Sequence, residues 1–310
     1  MFLGDTAVFA LGDGSVRLVS GPGAAEVRVH GGAVLAATRT RDGKALVTGG
    51  DDGLAARVDA AGNVTRLVEH PRKWIDAIAA GPDGAVAYAV GKTAHVRFAD
   101  GTSRAFAHEH AVGGLAFAPK GMRLGVARYG GVSLWWPKTD AAATSLEWKG
   151  SHIGIAFSPD GRFVVTAMQE NALHGWRLDG GGHLRMTGYP AKPRSLSWSA
   201  KGRFLASSGA EMAVLWPFHF KDGPQGKEPL QIGRRSAVVT RVACHPSDDA
   251  LAVGYADGAV AIARIPGGEF VLVREAGDGP VSALNWDHAG LRLAFGTEEG
   301  MAGVIDIRSG

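Results

Sequence analysis

An all-β fold, a β-propeller, is what three features of this 310-residue chain predict: a recurring unit of short apolar strands, glycines at fixed places in its turns, and a turn-rich composition. The unit is an apolar strand, a Pro-Asp-Gly-like turn, a second apolar strand, a Gly-containing turn and a third strand. Its clearest copies are Gly114-Leu-Ala-Phe-Ala-Pro-Lys-Gly121, Gly154-Ile-Ala-Phe-Ser-Pro-Asp-Gly161 and Arg194-Ser-Leu-Ser-Trp-Ser-Ala-Lys-Gly202. Turn glycines at Gly43, Gly84, Gly121, Gly161 and Gly202 are spaced by 41, 37, 40 and 41 residues, and Gly290 follows after a longer interval spanning a degenerate copy at Asp248-Asp249. A period of about forty residues made of strand-sized pieces means radial repetition of a small antiparallel sheet. The 46 glycines and a charged fraction of 20% suit a turn-rich sheet protein rather than a disordered or coiled one.

One unit shows the local logic. Ile153, Ile155 and Phe157 alternate with Gly154 and Ala156, a period-two strand with a bulky and a small face. Ser158-Pro-Asp-Gly161 reverses the chain: Pro presets φ, Asp bonds nearby backbone and Gly supplies a positive φ. Arg162-Phe-Val-Val-Thr-Ala167 is a β-branched second strand, Ala172-Leu-His-Gly-Trp-Arg-Leu178 a third, and His183-Leu-Arg-Met-Thr187 a looser fourth. First strands are expected at 33–38, 74–80, 112–118, 153–158, 194–199, 239–245 and 281–287, hence seven four-stranded antiparallel blades. At their ends stand Phe117, Phe157, Trp198, Cys244 and Trp286, expected as core residues between neighbouring blades. Residues 6–11, 15–20 and 25–29 read as second, third and fourth strands. We expect 25–29 to close the last blade as its outer strand, pairing the N- and C-terminal segments and removing an open edge. The hairpin 6–20 is then surplus, and eight blades are the alternative.

Third strands carry Leu134-Trp135, Gly175-Trp176 and Leu215-Trp216, with tryptophans 41 and 40 residues apart. The chain therefore resembles WD40-repeat proteins over nearly its whole length. It departs from the family pattern because none of these strands ends in Trp-Asp, and the family's Gly-His is reduced to scattered histidines such as His30, His70 and His110. The resemblance implies a non-catalytic scaffold that displays rigid loops to a protein or peptide partner.

Composition bounds the remaining classes. A period running end to end without a linker predicts a single domain over 1–310. Cys244 is the only cysteine, so no intramolecular disulfide is expected, and a blade-core place makes it an inert hydrophobe. The opening Met-Phe-Leu-Gly-Asp lacks the pattern of a secretory leader, and no apolar run approaches a membrane span, which points to the cytoplasm. Ala, Gly and Arg usage suggests a GC-rich, bacterial genome. A net charge of +3 makes no nucleic-acid footprint.

No catalytic or cofactor motif emerges. Gly91-Lys92-Thr93 resembles the end of a phosphate loop, but Val86 stands where its first glycine belongs and a strand follows. Serine-nucleophile elbow, metalloprotease helix and paired-cysteine zinc patterns are all missing. The competing class is a channel enzyme or metal protein using His108, His110 and His152. No metal or cofactor is assigned.

Function is expected in the loops of one face. Those leading from fourth to first strands hold Arg72-Lys73-Trp74, His108-Glu-His110, His152, Lys192-Pro-Arg194 and Arg234-Arg235, and a loop between second and third strands holds Arg128-Tyr129. Together these give a cationic surface with exposed rings, suited to an acidic segment carrying apolar anchors. The loop 217–229 is longer than its counterparts, and its Phe218 and Phe220 are expected to pack.

Overall fold

The computed structural model describes residues 1–309. The chain divides into two compact units, 2–157 and the residues from 158 on, the latter joined by Met1. In the first unit, β1 (Phe2–Leu3), β2 (Thr6–Ala10), β3 (Ser15–Ser20) and β4 (Gly23–Arg28) form one sheet in that order. β5 (Val34–Arg39), β6 (Ala45–Gly50), β7 (Leu54–Asp59) and β8 (Val64–Glu69) form the next, and β9 (Ile78–Ala80), β10 (Val86–Val90), β11 (Thr93–Arg97) and β12 (Ser103–Ala107) a third. β13 (Val112–Phe117), β14 (Leu124–Trp135) and β15 (Thr144–Phe157) follow. β14 serves as second and third strand at once: 124–128 pairs with β13 and 131–134 with β15, on either side of Tyr129-Gly130-Gly131. β15 passes from fourth-strand residues through Gly150 into the first strand expected at 153–158.

The second unit contains β16 (Phe163–Met168), β17 (Ala172–Arg177) and β18 (His183–Met186), then the sheet of β19 (Leu196–Trp198), β20 (Phe204–Ser207), β21 (Ala213–Pro217) and β22 (Leu230–Ile232). β23 (Val239–Cys244), β24 (Ala250–Tyr255), β25 (Val260–Arg264) and β26 (Phe270–Arg274) make another. β27 (Val281–Trp286), β28 (Arg292–Thr297) and β29 (Ala302–Asp306) make a three-stranded one. Among the described residues these strands form seven antiparallel sheets, and the fold is a β-propeller. All seven expected first strands are present, in β5, β9, β13, β15, β19, β23 and β27. They pack side by side within each unit: β5 on β9 and β9 on β13, then β19 on β23 and β23 on β27. Only two 3-10 turns, Pro82–Gly84 and Ile307–Ser309, add helical backbone among the described residues.

The turns behave as their composition dictates. Gly43, Gly84, Gly121, Gly161, Gly202 and Gly290 all have φ between 65° and 78°, the left-handed region that glycine enters without steric cost. The residue opening the turn then ties down the second strand. Thr40 Oγ1 accepts the Ala45 amide at 3.0 Å, Ser158 Oγ that of Phe163 at 2.9 Å, and Ser199 Oγ that of Phe204 at 3.0 Å. Bulky first-strand residues pack over small second-strand or turn residues of a neighbouring sheet. A Cβ on Gly81 would lie 2.8 Å from the Phe117 ring, and one on Gly254 would lie 2.6 Å from Val281. Phe117, Phe157 and Trp286 are buried as expected, and burying such a ring contributes roughly 1.5–3 kcal/mol. Trp198 and Cys244 are partly buried, and burial pushes the Cys244 thiol up to about 12.

Two expectations change. Of the segment expected at 25–29, residues 25–28 lie in β4, which pairs with β3 rather than with the last copy. The hairpin expected as surplus thus gains a first strand, β1, and a fourth of its own, giving a sheet in addition to the seven first strands. Closing β4 onto β3 spans a two-residue turn between Ser20 and Gly23, whereas reaching β29 would close a loop of about 280 residues, an entropic difference of about 4 kcal/mol. The first strand expected at 74–80 is shortened to β9, because Ile75 is fully buried with its amide on the Gly50 carbonyl at 3.0 Å, leaving Trp74 in the loop.

Candidate interaction site

The loops from fourth to first strands are held from beneath by polar networks. His30 is buried, with Nδ1 3.0 Å from Asp52 Oδ1 and Nε2 2.9 Å from Thr48 Oγ1. Asp52 also accepts the amides of Gly31 at 2.9 Å and Leu54 at 3.0 Å. Burial pushes the Asp52 carboxyl up, but the Leu54 amide, His30 and the Gly31 amide outweigh it and hold the group below its ordinary value. Tyr88 meets His70 Nε2 at 3.2 Å and stacks on His95. Burial pushes His95 down, with the neighbouring His70 adding to the effect. Trp135 Nε1–H donates to His108 Nε2 at 3.2 Å, and burial pushes His108 down.

In the second unit a tyrosine takes the histidine's place. Trp216 Nε1–H donates to Tyr189 Oη at 2.6 Å, Tyr189 meets Ser207 Oγ at 2.6 Å, and the Ser207 hydroxyl donates to the Val214 carbonyl at 3.1 Å. Sequence reasoning missed Tyr189 because it searched for histidine. A signal was there: Tyr189 precedes Trp216 by 27 residues, the spacing of His108 before Trp135.

The twelve candidate contact residues separate by what their side chains already hold. In the first unit Arg128 bonds Ser133 Oγ, Ser145 Oγ, the Tyr129 carbonyl and Glu147, so it clasps β14 to β15. His152 is buried with Nε2 on the Trp148 carbonyl, and His108 is occupied by Trp135. His110 stands edge-on to exposed Tyr129, their ring centres 5.1 Å apart. Arg72, Lys73 and Trp74 differ from these. Trp74 is 66% exposed, and no ion pair or side-chain hydrogen bond engages Arg72 or Lys73 among the described residues. The Lys73 amide bonds the His70 carbonyl at 3.1 Å, closing a His70-Pro71-Arg72-Lys73 turn with Arg72 at φ 62°. Proline second and a positive φ third is the type II arrangement, whose third place ordinarily takes glycine.

In the second unit Arg235 pairs with Asp257 at 3.0 Å and lies over the Tyr255 ring, while Arg234 reaches Glu211 at 3.4 Å. Arg194 is exposed and Lys192 half-buried. Phe218 is buried edge-on between Phe163 and Trp198, as expected, whereas Phe220 is 39% exposed beside Lys227. Among the described residues, no group of three His, Cys, Asp or Glu side chains is placed to hold a metal. Nor is any helix long and apolar enough to cross a membrane.

Residues 242–310 match the family model of the anaphase-promoting complex subunit 4 WD40 domain. That stretch carries a WD40 signature, and the fold of the chain is a β-propeller. Among solved structures, the computationally designed Ika8 protein superposes with a TM-score of 0.82 at 20% identity, covering 99% of this chain and 95% of that one. A chain of the mitotic checkpoint complex gives a TM-score of 0.71 at 15% identity, covering 84% and 83%. At these identities the likeness concerns the fold. No curated protein matches the sequence. WD40 propellers are generally non-catalytic scaffolds for protein interaction; in this chain Tyr189 accepts from Trp216 as His108 accepts from Trp135.

Proposed function

We propose that this WD40 propeller is a non-catalytic scaffold that captures an acidic protein segment on the loop Arg72-Lys73-Trp74. The observation that carries this reading is the contrast within the cationic set: Arg128 and Arg235 are committed to partners inside the fold, while Arg72 and Lys73 flank a tryptophan that is 66% exposed. A large indole left in water beside two unpaired cations supplies the apolar anchor and the charge that protein contacts concentrate in hot spots. His110 and Tyr129 would extend the contact surface within the same unit, and Arg194 and Lys192 offer a second cationic place in the other. The fold gives the loop a rigid base, so little ordering entropy is lost on binding. A cytoplasmic setting suits the single, partly buried cysteine.

The test is a peptide-display selection on the native protein and on an Arg72→Glu/Lys73→Glu variant with unchanged thermal stability. Acidic peptides carrying one apolar residue should be enriched on the first and lost on the second. Enrichment of one common set on both forms would show that binding lies elsewhere.

A further inference from the structure

The third strands β3, β7, β11, β17, β21 and β25 each have a fourth strand on their outer side, namely β4, β8, β12, β18, β22 and β26. β29 does not: among the described residues it pairs only with β28. Burial follows this difference. Every residue of β21 is buried and so are three of the five in β25, whereas none is buried in β29, and Val304 is 38% exposed. An edge that keeps the apolar composition of an interior strand is a template for another strand.

We propose that the open edge of β29 receives, as a fourth strand, an extended segment of a partner protein with apolar residues along it and a basic residue at its C-terminal end. The Ile307 amide donates to the Leu291 carbonyl and the Met301 carbonyl accepts from Thr297, so the odd-numbered residues direct their backbone toward β28. By the alternation of antiparallel pairing, Ala302, Val304 and Asp306 direct theirs to the open side. The cross-strand pairs Leu293–Ile305 and Ala294–Val304 leave both faces apolar at that edge.

The charge of the occupant follows from the neighbouring sheet. There the fourth strand reads Phe270-Val-Leu-Val-Arg274, and Arg274, opposite Val260, hydrogen-bonds the carbonyl of Gly258 in the turn before β25. The corresponding turn before β29 is Glu298-Glu299-Gly300, where Gly300 has φ 90° against 89° for Gly258. Two exposed carboxylates thus surround the place where an incoming cation would lie. No described residue supplies the strand, since residues 23–28 are already paired in β4. The edge of β29 lies in a different sheet from the Trp74 loop.

The probe is a fluorescent synthetic peptide with the sequence of residues 268–276, titrated against the intact protein by anisotropy, with a V271P copy as control, because Val271 is the residue whose backbone faces β25 opposite Ile262. Val304→Pro removes an edge donor without touching a bond to β28, a place where an edge strand tolerates proline, and Val304→Thr retains it. Binding of the peptide should weaken at least about tenfold with Val304→Pro or with the V271P copy, and stay within about threefold with Val304→Thr. The amides of Ala302, Val304 and Asp306 should gain protection from hydrogen exchange in the complex. If Val304→Pro fails to fold, Glu298→Lys/Glu299→Lys is the second variant, again expected to weaken binding. No saturable binding to the native protein, or equal binding by either weakened variant and the native form, overturns the proposal. So does dimerisation that competes with the peptide, which would make a second copy of this chain the occupant.

Discussion

Replacing Tyr189 by phenylalanine removes one oxygen and breaks two hydrogen bonds. The indole of Trp216 can only donate and the Val214 carbonyl can only accept, so the single Ser207 proton goes to Val214 and the chain runs Trp216 to Tyr189, Tyr189 to Ser207, Ser207 to the Val214 carbonyl. In Tyr189→Phe, Ser207 keeps Val214, but the Trp216 N–H is left buried with no acceptor. An unpaired buried donor costs about 1–3 kcal/mol and the lost Tyr–Ser bond about 1 kcal/mol more, giving a loss of about 2–4 kcal/mol. At roughly 2 °C per kcal/mol for a chain of this size, Tm should fall by roughly 4–8 °C. The assay is thermal and urea unfolding of Tyr189→Phe, Trp216→Phe and the double variant. If the chain of bonds holds the junction, the two changes are coupled, because once the indole is gone the tyrosine oxygen has less to lose, and the double variant loses clearly less than the sum. A loss below about 0.5 kcal/mol for Tyr189→Phe, or additivity within about 0.3 kcal/mol, would refute the assignment of Tyr189 as the histidine substitute.

Alkaline pH should destabilise the fold. Burial raises Tyr189 and Tyr255 to about 12, and Cys244 to about 12 from 9.0. Folded values above the unfolded ones mean that the stabilisation is complete below about pH 9 and is lost as pH rises toward 12; Tm measured from pH 8 to 11.5 should fall, and a flat profile would contradict the burial of these groups. Arg72→Gly should stabilise the protein by about 0.5–1 kcal/mol, because glycine occupies a positive φ without strain. The same change should weaken capture of acidic peptides, so denaturant midpoint and binding should move in opposite senses. Loss of stability in this variant would mean that the type II turn at His70–Lys73 is misread.

The parts legible in the sequence are those the blade interior constrains. The six turn glycines, the bulky residue ending each first strand and the tryptophans of third strands recur because each faces the same neighbours in every copy, so their spacing survives divergence. What escaped notice lies where one copy differs from the next. Arg128 and Arg235 read as surface cations in a polar loop, and only the fold reveals Ser133, Glu147 and Asp257 beside them. Tyr189 was hidden because a hydroxyl can substitute for an imidazole as the acceptor of an indole N–H, so the function of the position is conserved while its letter changes.

Fourth strands are the hardest to assign, since their outer face meets solvent and their pattern is weak. In β4 five of the six residues are exposed, so its side chains say little about which third strand it joins. Both β3 and β29 offer an acceptable edge, and the choice falls to chain connectivity, which favours the hairpin by the entropy of closing a short loop. That choice completes the first sheet and leaves the last one short of a strand. The interior contacts of β28 are made nonetheless, with Leu293 and Ala294 buried, so the three-stranded sheet holds together while β29 retains open hydrogen-bonding capacity. A fold whose stability resides in first and second strands can therefore leave one outer edge unpaired without unfolding, and an edge left in that state is available to a partner.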